Sequence, residues 1–196
     1  MFFTFSSLEI LVFLAISSFV FTIILQPYII KLGNKLQLID SPSPRKQKKK
    51  SLVRIGGIAI VFGYFVSILI LFFLTDLNIL SRNNLLILSI SSFSIFLLGL
   101  IDDFKSISPF IRLFIQILIS LGVWNAGIRI ETISITWINL PIIEINRLLS
   151  LFLTSIWLVG ITNAINWIDG LDGLASGITG FAALGISTLA FQNGQL

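Results

Sequence analysis

The amino-acid sequence predicts an all-α polytopic membrane protein, on three observations. Its 196 residues are 56% hydrophobic and only 11% charged, where a soluble domain carries about 25% charged residues. Its apolar residues fall in six runs, each near the ~20 residues a helix needs to cross a bilayer. Its cations collect in alternate loops. The mean hydropathy of +1.01 agrees with this class, because so few charges cannot cover a surface facing water.

The runs cover residues 8–30, 55–75, 84–101, 110–127, 148–165 and 174–191. Lipid offers the backbone no hydrogen-bond partner, so each run must close its own bonds as a helix. The last is rich in small residues, and Gly173, Gly177, Gly180 and Gly185 suit close helix packing. Nothing basic precedes the first run, Glu9 interrupts it, and no small-residue cleavage site follows. It therefore reads as a retained helix rather than a cleaved signal. The whole of 1–196 reads as a single membrane domain.

Charge sets the orientation. The first loop holds Lys31, Lys35, Arg45, Lys46, Lys48, Lys49, Lys50 and Arg54. Lys105 lies in the third loop, with Arg112 just inside the next helix, whereas the other side has only Arg82, Arg129 and Arg147. Ten cations against three place the first loop in the cytoplasm and the N-terminus outside. Loops one, three and five then share the cytoplasmic face. The outer loop, 128–147, alternates through "TISITWINL", breaks at Pro141 and resumes as "IIEI". That is the pattern of a short β-hairpin. Trp124 and Trp137 are placed to sit at the interface, and no chemistry is read in this loop. The chain has no cysteine and no histidine, so a metal here would be an oxygen-liganded ion such as Mg²⁺ or Mn²⁺.

Three polar stretches interrupt the apolar pattern. In "DSPSPRKQKKKSLVRIGG", residues 40–57, two prolines keep the loop extended. Its cations read either as an orientation signal drawn to anionic lipid, at about 1 kcal/mol per charge, or as a landing site for the phosphates of a lipid or nucleotide. In "GLIDDFKSISP", residues 99–109, Asp102 and Asp103 stand at the cytoplasmic end of the third helix. Adjacent helical residues diverge by about 100°, so the two do different jobs. A nearby cation would keep both ionised; the plainer reading is an interfacial pair that ends the helix, with Lys105 as counter-charge.

In "NAINWIDGLDGLASG", residues 163–177, Asn163 and Asn166 share a helix face. Asp169 and Asp172 follow at the same spacing, and Gly170 and Gly173 turn the chain. Such a loop suits hydrogen bonding to a sugar or nucleobase, where a cap and tight turn would explain one Asx-Gly alone. Charges facing lipid at mid-depth cost roughly 2.5–3.5 kcal/mol each. Here all three stretches meet one membrane face, which points to a site. A transporter would place ionisable groups near mid-membrane instead.

These motifs, in this order and between these helices, resemble the polyprenyl-phosphate N-acetylhexosamine-1-phosphate transferases, a glycosyltransferase family related to the phospho-MurNAc-pentapeptide transferases. The resemblance covers essentially the whole chain. The third stretch, with an Arg before the Gly pair, looks more like the undecaprenyl-phosphate GlcNAc-1-phosphate branch. The resemblance implies transfer of a sugar-1-phosphate from a UDP-N-acetylhexosamine to polyprenyl (undecaprenyl) phosphate, releasing UMP and initiating cell-envelope glycan synthesis. It implies Mg²⁺ or Mn²⁺ as cofactor, a multi-pass protein of the bacterial plasma membrane, and an active face in the cytoplasm. By resemblance Asp102 is the catalytic base or organiser of the lipid phosphate. Asp103 is its catalytic neighbour and a metal ligand. Lys46, Arg54, Asn163, Asn166, Asp169 and Asp172 bind substrate. Expected partners are those two substrates, membrane lipid and a second copy of the chain, with no nucleic acid.

Two departures from the family stand out. Lys48 occupies the position of a family histidine, and Ser51 and Val53 replace two prolines. Family members also have roughly ten helices, and a further metal-binding aspartate and a histidine-rich loop lie beyond the point where this sequence stops. The expectation is an N-terminal portion holding half a site, with little or no activity by itself. The alternative is a degenerate, non-catalytic homologue that binds lipid phosphate.

Overall fold

The structure is a computed structural model, and it describes residues 7–40, 52–74, 79–134, 143–169 and 173–192. It bears out the all-α membrane class. In chain order the elements are α1 (Ser7–Lys35), β1 (Ile39–Asp40), β2 (Leu52–Val53), α2 (Gly57–Leu74), α3 (Ile79–Lys105), α4 (Pro109–Asn125), β3 (Thr132–Ile133), β4 (Ile143–Glu144), α5 (Arg147–Ile168) and α6 (Leu174–Gln192). Among the described residues five helices are long and apolar enough to cross a membrane. The fourth expected span, α4, is shorter at 17 residues, about 25 Å of helix. Pro109 starts it and Gly127 ends it, so its length is set by its two caps.

The chain divides into two units, one of Met1–Asn78 with Ile168–Leu196, the other of Ile79–Trp167. In the first, α1 and α2 pack along a seam of small residues. Ala59, Gly63 and Ser67 recur every fourth position of α2, which puts them on one face. Ala59 is fully buried. A Cβ added to Gly63 would fall 2.6 Å from the Ser18 carbonyl oxygen, so only glycine lets the backbones come this close. Ser67 Oγ donates across the seam to the Leu14 carbonyl at 3.0 Å. Thr22 donates within α1 to the Ser18 carbonyl at 2.8 Å. Small residues and cross-helix hydrogen bonds are what hold helices together where lipid removes the hydrophobic drive.

The end of α1 is a Schellman turn. The Leu38 N–H donates to the Gly33 carbonyl (3.0 Å) and the Gln37 N–H to the Asn34 carbonyl (3.2 Å). Gln37 takes the left-handed position at φ 56° that glycine usually fills. The turn delivers β1, which pairs antiparallel with β2, Ile39 opposite Val53. This pair brackets the basic loop, and the sequence does not announce it because no alternating run marks it as one marks residues 132–140. The expected outer hairpin is present: β3 pairs antiparallel with β4, Thr132 opposite Glu144. Trp137 lies outside the described residues.

In the second unit, α5 meets α4 through side chains. Trp124 Nε1 donates to Ser150 Oγ at 3.0 Å, and the Ile130 N–H donates to Thr154 Oγ1 at 3.0 Å. All three side chains are buried, and each bond satisfies a polar atom that lipid could not.

Candidate functional site

Asp102 is the pivot of the α3–α4 turn. It lies three residues before the end of α3, and its backbone carbonyl accepts the Ser106 N–H at 2.8 Å. Ser106 is left-handed at φ 45°, so the helix ends in the αL motif with serine in glycine's place. The Asp102 carboxylate then takes the next donor: Oδ1 accepts the Ile107 N–H at 2.7 Å. Oδ2 accepts from Arg112, one turn into α4, at 3.0 Å. Both side chains of this ion pair are about a quarter exposed. The plainer reading of the Asp102–Asp103 pair has Lys105 as its counter-charge; for Asp102 the partner is Arg112, because the reversal at Ser106 lays the first turn of α4 back over it.

Asp103 is half-buried in the same last turn of α3. Among the described residues no group of three or more acidic side chains is placed to hold a metal ion. That is compatible with Mg²⁺, which keeps several waters and is commonly bound by one or two carboxylates together with substrate phosphates. The donor chemistry of Asp103, carboxylate oxygen, suits such an ion.

Asn163 is committed within its unit. Its Nδ2 donates to Gln116 Oε1 at 2.6 Å and to the Val159 carbonyl at 2.9 Å. Gln116 is only 6% exposed, so this bond locks α5 to α4 and satisfies a buried amide. Asn166, one turn further along α5, is exposed. Asp169 follows the helix, also exposed. Gly173, at φ 79°, adopts the turn conformation expected of this stretch. Arg54 opens the short 3-10 turn before α2; its N–H donates to the Leu38 carbonyl at 3.0 Å and its side chain is exposed. Lys46 and Asp172 lie outside the described residues.

Within the second unit the α3–α4 turn therefore brings Arg112 to Asp102, with Asp103 the next residue of the same helix turn, and the α4–α5 contact brings Gln116 to Asn163. Arg112 and Gln116 are four apart on α4, and the sequence assigns neither to the site. Gln116 had a signal: an amide inside an apolar run must find a partner or a function. Arg112 had a weaker one, a cation ten residues after an aspartate across a turn whose shape the sequence does not specify.

Residues 85–196 match the model of glycosyl transferase family 4. The chain is 31% identical over 175 residues to a probable undecaprenyl-phosphate N-acetylglucosaminyl 1-phosphate transferase of Bacillus subtilis, covering 89% of this chain and 46% of that protein. It is 36% identical over 182 residues to the undecaprenyl-phosphate alpha-N-acetylglucosaminyl 1-phosphate transferase of Thermotoga maritima, covering 91% and 52%. It is 32% identical over 202 residues to the phospho-N-acetylmuramoyl-pentapeptide-transferase of Halalkalibacterium halodurans, covering 90% and 57%. The chain spans about half the length of the curated relatives it matches. No solved structure matches it.

Proposed function

The chain belongs to glycosyl transferase family 4, and on that premise we propose that the full-length protein transfers a sugar-1-phosphate from a UDP-N-acetylhexosamine to polyprenyl phosphate. The observation that carries this reading is the family match itself. It runs from α3 to the end of the sequence and takes in both carboxylate stretches. Relatives of both branches bear names for transfer of a phosphosugar, two of them naming undecaprenyl phosphate as the acceptor.

In the proposed reaction an oxygen of the lipid phosphate attacks the sugar-bearing phosphorus of the nucleotide. A new P–O bond forms, the bond between the two nucleotide phosphates breaks, and UMP leaves. Both reactants are anions, so catalysis is chiefly alignment and charge neutralisation. Mg²⁺, when bound, supplies a positive centre for the phosphates, and Asp103 is the described residue best suited to hold it. Asp102, fixed by Arg112 and the Ile107 N–H, organises the lipid phosphate at the rim of the bilayer. Arg54 and Lys46 supply phosphate-contacting cations. Asn166, Asp169 and Asp172 contact the nucleotide. Asn163 acts behind them, holding α5 on α4. In this reading the site faces the cytoplasm of a bacterial cell, on the plasma membrane; the gathering of ten of the thirteen cations on one side supports that orientation.

The test uses the full-length natural protein in vesicles with UDP-GlcNAc and undecaprenyl phosphate. UMP release that needs Mg²⁺ or Mn²⁺, and that stops on chelation, supports the reading. No release from a folded full-length protein with either UDP-N-acetylhexosamine overturns it. Binding of undecaprenyl phosphate without turnover would instead establish the non-catalytic homologue.

A further inference from the structure

At the far end of α4 from Asp102, a cavity of about 510 Å³ opens between the β3–β4 hairpin and the start of α5. Arg112 and Trp124 are twelve positions apart, about 18 Å of helix. This cavity is therefore separate from the proposed transfer site and independent of that reading.

Its wall is a built aromatic and charged surface. Trp124 is buried, with its indole N–H held by Ser150 Oγ. Two guanidinium groups lie against its ring, Arg129 at 5.5 Å and Arg147 at 5.2 Å from the centroid, within cation–π range. Arg129 also donates to Glu131 at 2.8 Å, so that pair is closed. The other two charges lining the cavity are Arg147 and Glu144. Among the described residues neither has an ion-pair partner. One cavity thus presents one cation, resting on the Trp124 ring, and one carboxylate, each without an ion-pair partner among the described residues. Arg147 is also the first residue of α5, where the backbone adds positive potential.

We propose that this cavity binds the headgroup of a membrane lipid carrying both a phosphodiester and a primary amine, of phosphoethanolamine type. Arg147 takes the phosphate, which its planar fork of donors suits. Glu144 accepts from the ammonium, whose N–H groups a quaternary ammonium lacks. The lipid source follows from position. Trp124 lies in the last turn of α4 and Arg147 begins α5, so the cavity sits at the ends of two apolar helices. Leu148 and Phe152, one turn apart on α5 just past Arg147, are 69% and 62% exposed and offer a track for acyl chains.

The chain is purified into nanodiscs that hold phosphatidylethanolamine, phosphatidylglycerol and phosphatidylcholine in equal amounts, and retained lipid is counted by native mass spectrometry. Phosphatidylethanolamine is expected to dominate. Arg147→Gln and Glu144→Gln should each lower its retention by roughly tenfold, the worth of one charge-assisted hydrogen bond. Arg147→Lys, which keeps the charge but loses the planar fork, should recover only part of what Arg147→Gln loses. Thermal unfolding with and without phosphatidylethanolamine separates binding from folding: the wild-type midpoint rises with the lipid, and that of a folded Glu144→Gln variant does not. Equal retention of phosphatidylglycerol overturns the proposal, as does unchanged retention in both glutamine variants. Full displacement by soluble phosphoethanolamine overturns the lipid assignment.

Discussion

Asp102 carries two loads, and they can be separated by experiment. Its carbonyl and both carboxylate oxygens are bonded, to Ser106, Ile107 and Arg112, which would be enough to explain an aspartate at the end of α3 by turn geometry alone. A group that organises a lipid phosphate must do more. Arg112→Gln removes the ion pair but leaves the carboxylate, and should cost about 1 kcal/mol of stability, since the pair is only partly buried. Asp102→Asn keeps an acceptor for the Ile107 N–H and removes the negative charge. In the full-length protein, UMP release from Asp102→Asn is expected to fall about a hundredfold further than from Arg112→Gln. Equal losses in the two variants would assign Asp102 to the turn and remove it from the chemistry. The sequence could place this carboxylate at a helix end on the polar face. It could not show the bond to Arg112, because that depends on the left-handed Ser106, a conformation that the serine itself does not announce.

At the scale of elements, packing here rests on small residues and single polar bonds rather than on a large apolar core. Among the described residues few side chains are fully buried, as expected where one surface of each helix faces lipid. The α1–α2 seam is the clearest case. Gly63→Val would push a branched side chain into the Ser18 carbonyl and the Thr22 hydroxyl, an overpacking that costs about 1–3 kcal/mol. Gly99→Ala is the control. Nothing lies within 4 Å of a Cβ there, and the better helix propensity of alanine should leave the protein as stable or up to about 1 kcal/mol more so. Unfolding midpoints of the two purified variants check this; a Gly63→Val protein as stable as the wild type would show that α1 and α2 do not depend on close approach. The elements most legible in the sequence were those with a long repeat: every helix, and the outer hairpin, announced by alternation with Pro141 at its break. What escaped was built from two or three residues. The β1–β2 pair is one instance. The Trp124 cavity is another, since its lining comes from residues spread between positions 124 and 150 that only the hairpin brings together.

For the whole molecule, the placement of charge yields the prediction on which the proposed chemistry depends. Ten of thirteen cations fall on loops and helix ends assigned to the cytoplasm, and juxtamembrane Lys and Arg set orientation because moving them across the bilayer is costly. The sequence made this legible because orientation is a count, which needs no coordinates; the contacts within each end of a helix need them. These 196 residues hold no cysteine, so single cysteines placed in this chain report without background. Lys49→Cys lies in the basic loop, Lys105→Cys at the end of α3, and Thr132→Cys on β3 of the outer hairpin. In spheroplasts, a membrane-impermeant maleimide is expected to label Thr132→Cys at once. It should reach Lys49→Cys and Lys105→Cys only after the membrane is opened. The two lysine positions matter jointly, because the proposed transfer would need the basic loop and the Asp102 turn to meet the same aqueous phase, the one that holds the nucleotide-sugar. Labelling of Lys49→Cys and Lys105→Cys on opposite sides would separate the cations from the carboxylates by a bilayer. No arrangement of the remaining residues could then bring both to one pair of phosphates.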